Sequence, residues 1–84
     1  MDSYTRGVLA LSQGHLDEAR NQLQAALEAD ETDYRAMFFL AWCMRIAGDR
    51  FIASQLLAVG LELATALQDD GFRRMYHAEM DVAR

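Results

Sequence analysis

Residues 14–19 read Gly14-His15-Leu16-Asp17-Glu18-Ala19, and Leu23, Ala26 and Leu27 follow them. A similar pattern returns 34 residues later, with Gly48-Asp49, Ala53, Leu57, Gly60 and Leu61. Within each copy the apolar residues lie about three and four positions apart, which is the spacing of a helix with one buried face. The glycine that opens each copy suits the position just after a helix C-terminus. The repeat therefore predicts two copies of one helix–turn–helix unit.

Helical spacing extends outward from this repeat in both directions. Before it, apolar residues from Tyr4 to Leu11 follow a period of about 3.6. Between the two copies, the segment Tyr34 to Ile46 is apolar on most faces, as in a helix that is buried or covered. After them, the more polar segment Phe72 to Val82 keeps helical spacing. With the helices of the repeat itself, at Leu16–Leu27 and Phe51–Leu67, the sequence predicts five helices whose short connections make neighbours antiparallel.

Length and composition favour one small folded unit. The chain has 84 residues, of which 52% are hydrophobic, and it contains no proline to interrupt a helix. We predict an all-α fold of antiparallel helical hairpins in a single domain over residues 1–84. The first repeat covers about 1–33, the second about 34–67, and a closing helix about 69–84. A domain of this length has marginal stability, so association with a partner would supply burial that the monomer lacks.

Charge and cysteine content exclude several functions. The net charge is −5 and the chain has no lysine, whereas binding to nucleic acid or to an anionic membrane surface requires clustered cations. The longest apolar run, Ala36 to Met44, is far shorter than the ~20 residues of a membrane span. No secretory signal is visible at the N-terminus, and Cys43 has no second cysteine with which to form a disulfide. We therefore expect a cytoplasmic protein without nucleic-acid or membrane partners.

Small residues recur at matching positions of the two copies, where close helix packing would need them. With the 34-residue period, they make the chain resemble the tetratricopeptide repeat (TPR) family, over roughly residues 1–66 with residues 69–84 as a capping helix. In that family's pattern these positions let the two helices of a hairpin approach closely. The small residues are Gly7, Ala19 and Ala26 in the first repeat and Ala41, Ala53 and Gly60 in the second.

The resemblance also implies a binding surface, because the first helix of each TPR hairpin lines a concave groove. A groove that is this apolar and aromatic is typical of an interface and suits an amphipathic helix of another protein. The Lys, Arg and Asn with which some TPR proteins clamp a peptide carboxylate are absent, since the matching positions hold Tyr4, Val8 and Phe39. The implied groove residues are Tyr4, Val8, Leu11, Arg35, Phe38, Phe39, Trp42, Arg45 and Ile46.

Two interpretations stay open for the aromatic residues of the third helix. Phe38, Phe39 and Trp42 either line the groove or belong to the core. The run from Met37 to Met44 covers about two helical turns and so reaches every face, which means that these side chains cannot all point inward.

A narrower resemblance concerns the second half of the chain. Leu40-Ala41-Trp42-Cys43-Met44-Arg45, then Gly48, then Ala53-Ser54-Gln55-Leu56-Leu57 are similar to the small TPR chaperones of bacterial type III secretion. This resemblance implies that the partner is the amphipathic C-terminal helix of a needle subunit, held in the cytosol together with a small helical co-chaperone. The alternative function is a structural homo-oligomer that stacks its repeats end to end.

No residue set suggests catalysis or a cofactor. His15 is expected in an inter-helix turn and His77 in the polar closing helix, and neither has the spacing of a metal site. Cys43 lies in the most apolar segment, where a thiol is poorly placed to act as a nucleophile. The sequence therefore predicts a protein-binding module that is not an enzyme and needs no cofactor or metal.

Overall fold

The computed structural model describes residues 1–83, in which every regular element is an α-helix. This confirms the predicted all-α fold of packed helical hairpins. The predicted closing helix extended to Arg84, which lies outside the described residues. The five helices of residues 1–83 are α1 (Ser3–Ser12), α2 (Leu16–Ala29), α3 (Tyr34–Ile46), α4 (Arg50–Ala66) and α5 (Asp70–Ala83).

Aspartates define where most of the helices begin. A carboxylate at the N-cap accepts a hydrogen bond from a backbone N–H of the first turn, which otherwise has no partner within the helix. His15 precedes α2 and makes no such side-chain bond. The capping bonds are Thr5 N to Asp2 at 2.7 Å, and Ala36 N to Asp33, Ile52 N to Asp49 and Phe72 N to Asp69 at 3.1 Å each.

The two hairpin turns have the same geometry, 34 residues apart. Gly14 and Gly48 adopt positive φ angles of 77° and 92°, which only glycine adopts without steric cost. The next backbone N–H then reaches back over the last helical turn, with distances of 2.9 Å from His15 N to Ala10 O and from Asp49 N to Met44 O. Both glycines are thus the helix-terminating residues that the repeat predicted.

The end of α4 has the same turn but lacks the glycine. Gln68 has a φ of 57°, and the following N–H of Asp69 donates to Ala64 O at 2.9 Å. A side chain in this left-handed conformation costs about 1 kcal/mol that glycine avoids. We expect Gln68→Gly to raise the free energy of unfolding by about 0.5–1 kcal/mol, measured by urea denaturation. A lower stability would show that the Gln68 side chain makes a compensating interaction in solution.

The helices form two layers, with α1, α3 and α5 on one side and α2 and α4 on the other. Helices adjacent in sequence pack against each other, and α3 also approaches α1 and α5. Within residues 1–83 the backbones of α2 and α4 do not come close. Because α3 contacts α1 and α5 within its layer, whereas the backbones of α2 and α4 do not approach each other in theirs, the double layer curves. The helices α1, α3 and α5 form its concave face.

The core runs through both hairpins as two clusters that share the inner side of α3. Leu23 of α2 and Tyr76 of α5 are the largest fully buried apolar anchors of the two clusters, at 0% exposure each. Gly7 lets α1 approach α2, because an added Cβ would lie 2.7 Å from Leu23 Cγ. The first cluster contains Ala10, Ala19, Leu23, Ala26, Ala36, Leu40, Cys43, Met44 and Ala53, and the second Phe38, Ala41, Leu57, Ala64 and Tyr76.

Candidate functional site

A row of aromatic rings crosses the concave layer from α1 to α5. Phe39 of α3 is its centre, with ring centroids 6.1 Å from Tyr4, 6.4 Å from Trp42 and 6.4 Å from Phe72. These spacings are those of mutually attractive aromatic contacts. Because the row joins three helices, the side chains form one continuous surface.

This surface is open to solvent at large apolar side chains. Trp42 is 36% exposed and Ile46, one turn further along α3, is 48% exposed. Met75 of α5 is 38% exposed. Side chains of this size and kind dominate the energetics of protein interfaces. We define the concave groove as the surface around Tyr4, Val8, Arg35, Phe39, Trp42, Ile46 and Met75.

The cations on α3 already have partners within the fold. The Arg35 guanidinium lies 4.6 Å from the centre of the Tyr4 ring and 3.8 Å from the Asp33 carboxylate. Arg45 donates from Nε to the Glu79 carboxylate, which joins α3 to α5. The groove is therefore apolar at its centre, and its charges serve to fix neighbouring helices.

Phe38 does not belong to this surface. It is 7% exposed and makes edge-on contacts with the rings of Phe39, Phe72 and Tyr76, at 5.1, 6.0 and 5.3 Å. Its assignment to the groove is corrected, because α5 covers the face of α3 on which it lies. For this residue the core interpretation is the one that the structure supports.

The other predicted groove residues are either exposed or half-buried. Arg35, Trp42 and Ile46 are exposed, whereas Tyr4, Val8 and Phe39 are half-buried. Leu11 and Arg45 are also half-buried, but Leu11 packs against the first core cluster and Arg45 is held by Glu79. Of the residues predicted for the groove, Arg35, Trp42 and Ile46 are thus the most open to solvent, and their role in binding stays a prediction.

The contribution of α5 to the groove was missed. Met75 occupies the place on α5 that Phe39 occupies on α3, if the two helices are aligned at their capping residues Asp33 and Asp69. These two capping aspartates were the feature of the sequence from which the position of Met75 could have been predicted. They lie 36 residues apart rather than 34, so an alignment on the repeat period alone does not bring these positions together.

A partly buried polar network links α5 to α3. The Tyr76 hydroxyl donates to the Tyr34 backbone oxygen, and the Tyr34 hydroxyl donates to Asp69 at 2.7 Å. The hydrogen bond from the Tyr34 hydroxyl, and after it that from the Phe72 N–H, lowers the pKa of the Asp69 carboxyl. Burial raises the pKa of the Tyr76 hydroxyl. The residue that caps α5 is therefore tied directly to α3.

Gly60 provides the space for Tyr76. We predicted that this small residue brings α4 close to α3, its hairpin partner. Instead, the atoms nearest to an added Cβ at residue 60 all belong to the Tyr76 ring of α5. The small residue thus serves the contact between the second hairpin and the closing helix.

The three residues considered for catalysis lie on different elements of the fold. Cys43 is 2% exposed and burial raises the pKa of its thiol, which leaves little of the nucleophilic thiolate. His15 lies at the start of α2 and His77 on α5, both exposed. Within residues 1–83, no three His, Cys, Asp or Glu side chains gather as metal ligands would.

None of the helices in residues 1–83 combines the length and the apolar character that crossing a membrane requires. Comparisons of the chain with protein-family models, with characterised proteins and with solved structures found no match. The geometry of the groove is therefore the observation that bears on function.

Proposed function

We propose that this protein is an adaptor or chaperone that holds an amphipathic helix of another protein in the concave groove. The observation that carries the proposal is the exposure of Trp42, Ile46 and Met75 around the aromatic row centred on Phe39. Their exposed apolar area remains in contact with water in the free chain, and a partner would bury it. Catalysis is not part of the proposal, since the groove presents apolar side chains and not an ionisable pair.

A helix is the partner shape that this groove favours. Phe39, Trp42 and Ile46 follow one another at intervals of three and four residues along α3, and a facing helix offers side chains at the same intervals. An extended peptide that bound by strand addition would need unpaired backbone groups on the receiving surface, as at the edge of a sheet. The helices of this layer use their backbone groups internally, so they offer no such edge.

The TPR resemblance enters the proposal as its structural framework. Paired hairpins with a 34-residue period and a groove lined by the first helix of each pair are consistent with a TPR-like module. The narrower resemblance makes a type III secretion needle subunit, with a small helical co-chaperone, the first partner to test. A lone, buried Cys43 agrees with the cytoplasmic location that this proposal includes.

End-to-end stacking into a homo-oligomer receives less support from the contacts. Such stacking needs an apolar face on the outer side of α1. Arg6 stands there at the position that buried Leu40 occupies in α3, 34 residues later, and Gln13 and Glu18 lie nearby with the exposed Leu9. A face with this many polar groups would lose their hydration on stacking.

The proposal is tested by capture from the source cells. We expect a tagged chain to elute with one small helical protein at fixed stoichiometry, seen as a single native mass above that of the chain. A needle subunit in this complex would establish the narrower version. Elution of the chain by itself, or only with further copies of itself, would contradict the adaptor function.

A further inference from the structure

Helix α4 has a second apolar face beside the one that it buries in the core. Ile52, Leu56, Val59 and Leu63 lie four, three and four residues apart, so they form one stripe along the helix. We call these four residues the α4 stripe. The side chains that α4 buries lie on a different face and are Ala53, Leu57, Gly60 and Ala64.

The α4 stripe is open to solvent. Ile52 is 38% exposed and Val59 is 48% exposed. With Leu56, Gln55 and the underlying Met37, they line a shallow cavity of about 200 Å³. The stripe lies on the layer opposite the concave groove, so a partner helix in the groove leaves it uncovered.

The first hairpin shows that folding does not require apolar side chains at these positions. The residues 34 positions earlier, on α2, are Glu18, Gln22, Ala25 and Ala29. There Gln22 donates to the Glu18 carboxylate at 3.3 Å. The same structural unit thus carries polar or small residues on α2 and large apolar residues on α4. Leu56 also packs against both core clusters, whereas Ile52 and Val59 remain exposed. Exposed apolar side chains grouped along one helix are typical of an interface.

We propose that the α4 stripe is the interface of a homodimer in which α4 of two copies packs antiparallel. Spacing of four and three residues is the pattern of paired helices. In the antiparallel register, Ile52 faces Leu63 of the second copy and Leu56 faces Val59. Each layer then pairs a β-branched side chain with a leucine, so the stripe is complementary to itself.

The polar residues that flank the stripe favour the antiparallel orientation. The stripe contains no charged residue, and Glu62 lies beside it on the same side as Gln55. Antiparallel packing keeps the two Glu62 residues about 13 Å apart, each close to Gln55 of the second copy. Parallel packing would place these residues of the two copies on opposite flanks of the interface, so the contact between Glu62 and Gln55 would be lost. A helix of a different protein that recognised this surface by charge would have only Glu62 to contact.

The size of the stripe makes the dimer weak and reversible. Residues 52–63 extend over about 18 Å of helix, which covers less than the roughly 800 Å² per partner of a stable interface. Each copy also has a net charge of −5, so the copies repel at a distance. We expect dissociation in the micromolar-to-millimolar range and tighter association at higher salt, which screens the repulsion.

Sedimentation equilibrium of the purified full chain tests the dimer, across micromolar to millimolar concentrations and at two salt concentrations. The wild type should change from monomer to dimer. Val59→Glu should weaken the dimer by about tenfold or more, because it places a carboxylate in the interface, while Trp42→Glu should leave it intact. Should Val59→Glu fail to fold by circular dichroism, Ile52→Lys replaces it.

Cross-linking tests the register. In the antiparallel dimer the two copies of residue 59 lie within about one helical turn, whereas those of residue 52 are about 16 Å apart. Val59→Cys should therefore oxidise to a covalent dimer and Ile52→Cys should not. Cys43 is buried and outside the stripe.

Equal cross-linking of both variants would overturn the antiparallel arrangement. A monomer at all concentrations, or a dimer lost in Trp42→Glu but kept in Val59→Glu, would overturn the interface. The capture experiment on the groove is independent of each result.

Discussion

Changing Gly60 to alanine is expected to displace α5 and to lower the melting temperature by roughly 8–16 °C. Alanine usually stabilises a helix interior by about 1 kcal/mol relative to glycine. Here its Cβ would overlap the ring of Tyr76, which is 0% exposed and fixed by its hydrogen bond to the Tyr34 backbone oxygen. Overpacking against a ring that cannot rotate away costs about 3 kcal/mol, so the net loss is about 2 kcal/mol. Thermal denaturation followed by circular dichroism measures it.

Gly71→Ala is the matched control, because an added Cβ at residue 71 meets only Asp69 Oδ1, at an ordinary 3.6 Å. It should leave the melting temperature unchanged or slightly higher. Gly60→Ala in a Tyr76→Leu background should cost less than half of what it costs in the wild type, since the ring is absent. A melting temperature raised by Gly60→Ala would contradict the contact between α4 and α5.

The position of α5 matters for the groove as well as for stability. Met75 supplies part of the exposed apolar surface, and Glu79 holds Arg45. A chain in which α5 is displaced should lose partner affinity even though α3 is unchanged. Stability and binding are therefore linked through one helix, and each variant needs a folding measurement beside its binding measurement.

The features that local chemistry determines were predictable from the sequence. Asp33 and Asp69 cap their helices because a carboxylate one residue before a helix reaches the free N–H groups of its first turn. Gly14 and Gly48 end theirs because the turn requires a positive φ. These effects involve only a few neighbouring residues, so the helices and the hairpins follow from the pattern alone.

Which face of α3 is exposed could not be predicted in the same way. Phe38 and Phe39 are adjacent and chemically identical, yet Phe38 is buried and Phe39 lies half-open in the groove. A helix that is apolar on most faces gives no periodic signal to separate them. The contact of Phe38 with Tyr76 of α5 decides the difference, since Phe72 contacts both rings.

The register of α5 does not follow from the 34-residue period, and only the capping residues Asp33 and Asp69 indicate it. The 34-residue period holds between the two hairpin turns, but α4 has 17 residues where α2 has 14. The later start of α5 removes it from the repeat and places Tyr76 against Gly60. A period found in the hairpins does not extend to a helix whose position depends on long-range contacts, such as that of Tyr76 with Gly60.

Replacing Trp42 with glutamate is expected to abolish capture of the partner while leaving the chain folded. Trp42 is at the edge of the aromatic row and 36% exposed, so a charge there keeps access to water in the free chain. In the complex the partner helix would bury that charge without a counter-ion. A tryptophan that anchors an interface contributes 2 kcal/mol or more, so affinity should fall about 30-fold or further. Phe39→Glu is a poorer test, because Phe39 contacts four other rings and its loss would unfold the core.

The controls separate a groove effect from a general loss of apolar surface. Phe51 is 70% exposed on α4, in the opposite layer, so Phe51→Glu should capture the partner as the wild type does. Trp42 is the only tryptophan, and its fluorescence should shift to shorter wavelength when the partner covers it, because the indole leaves water. Ile46→Glu, one turn further along the groove, should reduce both capture and this shift. Normal capture by Trp42→Glu and Ile46→Glu would place the binding site elsewhere, whereas loss in Phe51→Glu as well would show that capture follows overall hydrophobicity and not the groove.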